Sequence, residues 1–416
     1  MTTAIFIIFC IVYLGMILGG LPFLQLDRTG VALLGAIALI GVEAVSPEEA
    51  AKSIHLPTLI LLFSFMVVSA QMRLGGFYTW VTRRLAALPL SPPMLLAALT
   101  VAAAALSAVF SNDIVCLAVA PVLIEACLAR RLDPVPYVLA LACAANVGSA
   151  ATLIGNPQNM LIGETLKLSF GGYISQALVP VLLGLAVTWG LIAWQTRGRW
   201  ASASVAADQA ASERRDDVRA PFDRWQTAKG LSVSAALLAV FLFVPSWPRD
   251  VAALTGAGLL LMSRKLHSNK MLGLVDWELL ILFIGLFVVN HALQETGIAA
   301  GIVADLAAAG VNLERPGPLF AATLVLSNVV SNVPAVMLLL PVAAGALAGP
   351  TLALASTLSG NLLIVGSIAN IIVVNAAARR GIRIDWRRHA RTGVPVTLAT
   401  LAICAASLWW RIPPAV

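Results

Sequence analysis

The chain has 416 residues, 60% of them hydrophobic and 11% charged, with a mean hydropathy of +0.91. Soluble globular domains carry roughly 25% charged residues and disordered chains have low hydrophobicity, so both classes are excluded. The formal charge of +7 sits in short loops between apolar runs, where Lys and Arg set membrane orientation rather than forming a nucleic-acid stripe.

The apolar runs, at about 17 residues or more, have the size of bilayer-crossing helices. In chain order they predict spans at Ala4–Leu21, Thr29–Val45, Pro57–Met72, Tyr137–Ile154 and Ile174–Trp194, then Leu231–Val244, Val251–Met262, Leu279–Asn290, Leu352–Val374 and Val394–Trp410. Two more apolar blocks, Ser91–Leu128 and Pro316–Ala348, are each interrupted near the middle by Ser and Asn. Phe77–Leu88, with Trp80 beside Arg83 and Arg84, reads as an amphipathic helix at the interface. Ile298–Gly310 reads as its less basic counterpart. The stretch before Ile5 lacks the positive n-region of a secretory signal. The five cysteines all lie in apolar segments without CxxC or Cys/His spacing, so they read as small packing residues rather than disulfide or zinc partners. No metal site of the Cys/His kind and no cofactor is expected.

The two halves resemble each other. Shifted by 221 residues, Leu59–Val68 falls on Leu280–Val289. Shifted by 220, Leu106–Val122 falls on Leu326–Val342 without a gap, pairing Ser111 with Ser331, Asn112 with Asn332 and Pro121 with Pro341. A shift of 211 sets Gly155–Asn159 on Gly366–Asn370. The chain therefore divides into a repeat at 1–196 (hairpin 91–128, broken helix at 155–159), a cytoplasmic linker at 197–230, and a second repeat at 231–416 (hairpin 316–348, broken helix at 366–370). With the loops at Arg83, Arg84, Arg130 and Arg131 inside, all but five of the 27 Lys and Arg residues become cytoplasmic, as the positive-inside rule demands. Five crossings per half then make the second repeat inverted, the signature of secondary transporters, with both termini on the outer face of the cytoplasmic (inner) membrane. The expected fold is an all-α polytopic membrane protein of two inverted repeats of five transmembrane helices.

The chemistry concentrates where polar residues interrupt apolar ones. Ser111-Asn112-Asp113 and Ser331-Asn332-Val333-Pro334 combine N-cap residues with a proline suited to a helix start. Each trio ends one half-helix and begins another, or else forms a tight turn between two full spans. Helix starts at membrane depth present free N–H groups and partial positive charge, and unwound carbonyls beside them can ligate a cation. Gly155-Asn156-Pro157-Gln158-Asn159, with the weaker Gly366-Ser367-Ile368-Ala369-Asn370, reads as a broken helix, which is tolerated only inside protein or along a cavity. Asp113 is the only charge between Leu85 and Ile124. A carboxyl there costs about 2.5–3.5 kcal/mol on insertion scales, so it is expected to take part in ion or proton coupling. Glu43 and Glu164 read as interfacial.

Five stretches together resemble the ion transporter superfamily: Ser111–Pro121, Gly148–Gly163, Asp276–Val289, Ser327–Pro341 and Gly366–Ala377. That group holds citrate-transporter-like permeases, divalent anion–sodium symporters, arsenite efflux permeases and a class of sodium–proton antiporter. The resemblance implies two re-entrant hairpins whose tips meet at mid-membrane, a homodimer, and an elevator-like mobile domain. The symporters carry Ser-Asn-Thr at the tips; Ser111, Asn112, Ser331 and Asn332 match its first two positions, whereas Asp113 and Val333 occupy the third. In that respect the chain looks more like the arsenite branch.

The expected activity is secondary active transport of a small anion, an inorganic oxyanion or a carboxylate, coupled to H+ or Na+. An arsenite-type efflux permease or a Na+/H+ antiporter is the alternative. The binding residues are Ser111, Asn112, Asp113, Gly155, Asn156, Pro157 and Asn159 from one half, and Ser331, Asn332, Pro334, Gly366, Ser367 and Asn370 from the other. Ser111, Asn112, Gly155, Asn332 and Gly366 are the candidates for Na+. The partners are the substrate and the bilayer, with no nucleic acid. An intramembrane enzyme is disfavoured because neither HExxH nor Gly-x-Ser-x-Gly occurs; a channel would pass current without saturable exchange.

Overall fold

The computed structural model of the chain describes residues 1–21, 24–201 and 222–411. Helix α1 (Thr2–Leu18) leads through a short antiparallel ribbon, β1 (Gly20–Leu21) against β2 (Leu26–Asp27), into α2 (Arg28–Gly41). There follow α3 (Pro47–Ser53), α4 (Leu56–Leu74), α5 (Phe77–Ala86), α6 (Pro92–Val109), α7 (Asn112–Ala129), α8 (Pro134–Ser149), α9 (Pro157–Thr165) and α10 (Phe170–Thr196). Next come α11 (Arg224–Phe243), α12 (Arg249–Leu261), α13 (Ser268–Leu272), α14 (Trp277–Glu295) and α15 (Ile298–Ala308). The chain closes with α16 (Pro316–Val330), α17 (Asn332–Leu339), α18 (Ala348–Ser359), α19 (Ile368–Ala378) and α20 (Trp386–Trp409). The expected linker 197–230 is shorter than read: Asp223 caps α11 by accepting from the N–H groups of Trp225 and Gln226, so helix begins at Arg224. Residues 202–221 of that linker lie outside the described residues.

This is an all-α polytopic membrane protein. Seven described helices are long and apolar enough to cross a membrane: α4, α6, α7, α10, α11, α14 and α20. Five of these fall on the ten spans expected from the sequence; α6 and α7 are the arms of the first expected hairpin. The remaining apolar helices are shorter; of these, α8 and α19 flank the broken segments, which divide what reads as one run into α8 and α9 in one half and α18 and α19 in the other. The lipid-facing character of the surface is visible in exposed Ile7, Ile11 and Leu14 on α1, Val179, Leu182 and Leu183 on α10, and Leu242 and Phe243 on α11.

Packing is reciprocal between the halves. α2 lies against α14 and α12 against α4; α6 lies against α8 and α16 against α18; α10 packs on α20 and α8 on α18. Close approach depends on glycine where backbones meet: a methyl group at Gly148 would stand 2.3 Å from Ala104 Cα on α6. Cys116, Cys127, Cys143 and Cys404 are buried as expected, but Cys10 is exposed, since α1 turns that face outward. Ile298–Gly310 does form a helix, α15, with no buried residue.

Candidate functional site

Helices α6 and α7 are joined only by Phe110 and Ser111, and α16 and α17 only by Ser331. Each Ser is the N-cap of the following helix. The second arm pair is unequal: α17 passes into a 3-10 turn at Leu340–Val342, where Pro341 ends the regular α-helix.

The two breaks sit beside these tips. The first lies at 150–156, earlier than the expected 155–159, and Pro157–Asn159 form the opening turn of α9. The reason is local: Asn156 Oδ1 accepts from Asn159 N at 2.9 Å as the N-cap, and Pro157 at the first helical position lacks only an N–H that has no helical partner anyway. The second break runs from Gly360 to Ser367, with a 3-10 turn at Ile364–Gly366, and Ser367 caps α19 by accepting from Ala369 N at 3.2 Å. A methyl at Gly155 would strike Ser149 O at 2.3 Å and Ser107 O at 2.8 Å, so only glycine lets the first break fold against α6.

Matched asparagines hold the unwound backbone. Asn159 Nδ2 donates to Thr152 O at 3.0 Å and Ser149 O at 3.5 Å; Asn370 Nδ2 donates to Leu363 O at 2.9 Å and Gly360 O at 2.8 Å. In both halves the acceptors lie seven and ten residues back. Two residues that sequence reasoning missed bind the halves together. Asn146 Oδ1 accepts from Asn112 Nδ2 at 3.0 Å and Ser367 Oγ at 2.9 Å, while its Nδ2 donates to Asn361 Oδ1 at 2.7 Å and Asn370 Oδ1 at 3.3 Å. Thr357, its counterpart at the 211-residue shift, accepts from Asn156 Nδ2 at 3.2 Å and Gln158 Nε2 at 3.3 Å and donates to Asn159 Oδ1 at 3.3 Å.

The expected residues therefore gather into one region. Asn112 N donates to Gly155 O at 3.3 Å. Asn332 Nδ2 lies 3.3 Å from where a Cβ of Gly360 would stand, and Asn328 Oδ1 lies 3.4 Å from that of Gly366. Pro334 is buried in the first turn of α17. Four helix starts, those of α7, α9, α17 and α19, converge here. Among the described residues, the buried side-chain atoms without a hydrogen-bond partner include Ser107 Oγ, Asn112 Oδ1, Asp113 Oδ1, Ser327 Oγ, Asn328 Oδ1 and Asn332 Oδ1. All six are oxygens at the two tips, and buried polar atoms are rarely left unpaired. None of α6, α7, α8, α9, α16, α17, α18 or α19 contains Lys, Arg or His. No group of three or more His, Cys, Asp or Glu that could hold a metal occurs among the described residues.

Glu164, at the end of α9, is 5% exposed, and Arg249 Nε stands 2.8 Å from its Oε1, while Arg249 also donates to Gly163 O at 2.8 Å.

A family model described as citrate transporter matches residues 4–353. The inner membrane protein YbiR of Escherichia coli (strain K12) is 30% identical, with 89% of this chain and 93% of that protein aligned. The silicon efflux transporter of Oryza sativa subsp. japonica is 29% identical over 92% of each chain. Among solved structures, the YdaH transporter of Alcanivorax borkumensis matches 98% of both chains with a TM-score of 0.52 at 15% identity, a likeness of fold.

Proposed function

Because the chain belongs to the citrate transporter family, we propose that it is a secondary active transporter that moves a small anion, an inorganic oxyanion or a carboxylate, across the cytoplasmic membrane, coupled to H+ or Na+. The observation that carries this is the convergence of four helix starts with six unpartnered oxygens at one buried place. Helix starts attract negative charge. A hard cation takes oxygen ligands such as carbonyls, amides and hydroxyls. Anion and coupling cation are thus both provided for, the cation at Ser111, Asn112 and Gly155 with Ser107 nearby, and at Asn332 and Gly366 with Ser327 and Asn328.

The reciprocal packing and the matched Asn159 and Asn370 staples support reading the chain as two repeats of opposite sense, at 1–196 and 231–416 around the linker. In that reading the α6–α7 and α16–α17 pairs are re-entrant, both termini face outward, and a homodimer works by elevator motion of the broken-helix region. A second reading, an efflux permease of the arsenite type or a Na+/H+ antiporter, is favoured by Asp113 at the third tip position and by the rice efflux relative.

The test is reconstitution in liposomes with imposed H+ or Na+ gradients and a panel of oxyanions and carboxylates. Saturable, gradient-driven uptake is expected, falling at least tenfold in Asn112→Ala and Asn332→Ala while both variants stay monodisperse. Cation exchange without anion flux rejects the anion reading, and steady unsaturable current points to a channel.

A further inference from the structure

Each break contains a carbonyl that is held from outside it. In the first break, Ala150 O accepts from the Tyr173 hydroxyl at 2.7 Å. In the second, Asn361 O accepts from His389 Nε2 at 3.1 Å. Ala150 and Asn361 correspond under the same 211-residue shift that pairs Asn146 with Thr357. Tyr173 and His389 are each the fourth residue of their helix, α10 and α20. Matched carbonyls are thus held from matched positions, by a phenol in one half and an imidazole in the other.

The α20 side is shaped to this contact. His389 is 2% exposed, and a methyl at Gly393, one turn on, would stand 2.4 Å from Asn361 O and 2.8 Å from His389 Nε2. Because a carbonyl oxygen only accepts, Nε2 carries the ring hydrogen. Among the described residues no other donor reaches Asn361 O, and His389 Nδ1 has no partner. The helices packed on α20 are α8, α10 and α18, which contain no Asp, Glu, Lys, Arg or His. The charges nearest in the chain, Asp385, Arg387, Arg388 and Arg391, are exposed, with Arg388 paired to Asp133. These helices offer no acid to hold a buried imidazolium, so the neutral ring serves as a fixed donor.

From Asn361 the bonding continues to the first tip. Asn361 Oδ1 accepts from Asn146 Nδ2 at 2.7 Å, and Asn146 Oδ1 accepts from Asn112 Nδ2 at 3.0 Å. A binding group is only as well placed as the residues that lock it.

We propose that His389 is a positioning residue of the candidate site: by holding Asn361 O it sets the second break against α8, and through Asn361 and Asn146 it fixes Asn112. This rests on the transporter reading above and adds to it a residue one helix away from the site.

The experiment is uptake into liposomes by the full chain, with sulfate, phosphate, succinate and citrate as probes, alongside hydrogen exchange on the same protein in detergent. His389→Ala is expected to raise the KM of the transported probe at least fivefold, with Vmax per folded protein within twofold, and to speed exchange at residues 360–367. His389→Gln keeps an N–H donor on a side chain of similar reach; it is expected to restore KM to within twofold of the wild type, with the same pH profile. Gly393→Ala keeps the imidazole but crowds Asn361 O, and is expected to raise KM as His389→Ala does. If His389→Ala does not fold, Gly393→Ala and His389→Gln decide. An unchanged KM in His389→Ala overturns the proposal, as does a His389→Gln variant equally impaired. A wild-type pH inflection that His389→Gln abolishes also overturns it, since His389 then carries a proton instead of holding a carbonyl. Saturable wild-type flux with KM unmoved in these variants sinks this inference alone; no saturable flux of any probe sinks the transporter reading and this inference with it.

Discussion

Ser331 holds φ 79° and ψ 162°, a region populated almost only by glycine, whereas its counterpart Ser111 is relaxed at φ −54° and ψ 127°. Strain of this kind costs about 1–3 kcal/mol and persists only where neighbours over-determine the backbone. Here Ser331 alone joins α16 to α17, so the two helices fix the path of the chain on either side of it. Relieving the strain without altering the path of the chain requires glycine. Ser331→Gly is therefore expected to raise stability by about 1 kcal/mol or more, after the entropic cost of glycine, while Ser331→Ala, which retains a Cβ, gives no gain. Thermal unfolding of the detergent-solubilised variants checks this; equal midpoints for glycine and alanine would remove strain from the account. Nothing in the Ser-Asn spelling of the two tips distinguishes a strained serine from a relaxed one, because the difference lies in what packs around each tip.

The breaks are the elements on which the site depends, and each is kept unwound by one asparagine. Asn159 and Asn370 are both fully buried, and each donates to two carbonyls that a continuous helix would have satisfied. Replacing Asn370 by Ala strands Gly360 O, while Leu363 O keeps only the Gly366 N–H at 3.1 Å; a buried group left unpaired costs about 1–3 kcal/mol. The expected loss is about 1–3 kcal/mol, and hydrogen exchange should rise at residues 360–367 before it rises in α18. Asn159→Ala should behave likewise at residues 149–156, somewhat more mildly because one of its bonds is long at 3.5 Å. Protection unchanged in both variants would show that the breaks are held by packing instead. The location of the breaks was legible because Gly155, Pro157 and Asn156 punctuate an otherwise apolar run. The boundary was shifted because Pro157 reads equally as a breaker and as a first helical residue, and only the Asn156 cap decides between them. Asn146 and Thr357 were not legible. A lone polar residue in an apolar helix reads as interhelical glue, and the partners of these two in the other half lie 198 to 224 residues away in sequence.

Taken whole, the molecule has no seam between its halves. Asn146 of α8 is bonded to Asn361, Ser367 and Asn370, Asn156 is bonded to Thr357, and α2 and α12 each pack against the long helix of the opposite half. The repeat was readable in the spacing of polar motifs, but this interlocking was not, since an offset between copies says nothing about which copy each helix touches. Away from the centre the same interlocking is made by charge. Glu164 at the end of α9 and Arg249 at the start of α12 form an ion pair whose side chains are 6% and 14% exposed, joining the two halves of the chain. Lys167, 3.9 Å from Glu164 but 72% exposed, adds little, as exposed pairs do. Removing one partner of a buried pair leaves an uncompensated charge and costs about 3–5 kcal/mol, whereas removing both costs far less. Glu164→Gln and Arg249→Gln are each expected to lower the unfolding midpoint, and the double variant to recover much of the loss. Because each half completes the other's core, the transition in every variant should remain single and coincide when followed by fluorescence and by circular dichroism. Two separated transitions, or additive losses in the double variant, would mean that the halves fold as independent units and that the Glu164–Arg249 pair does not couple them.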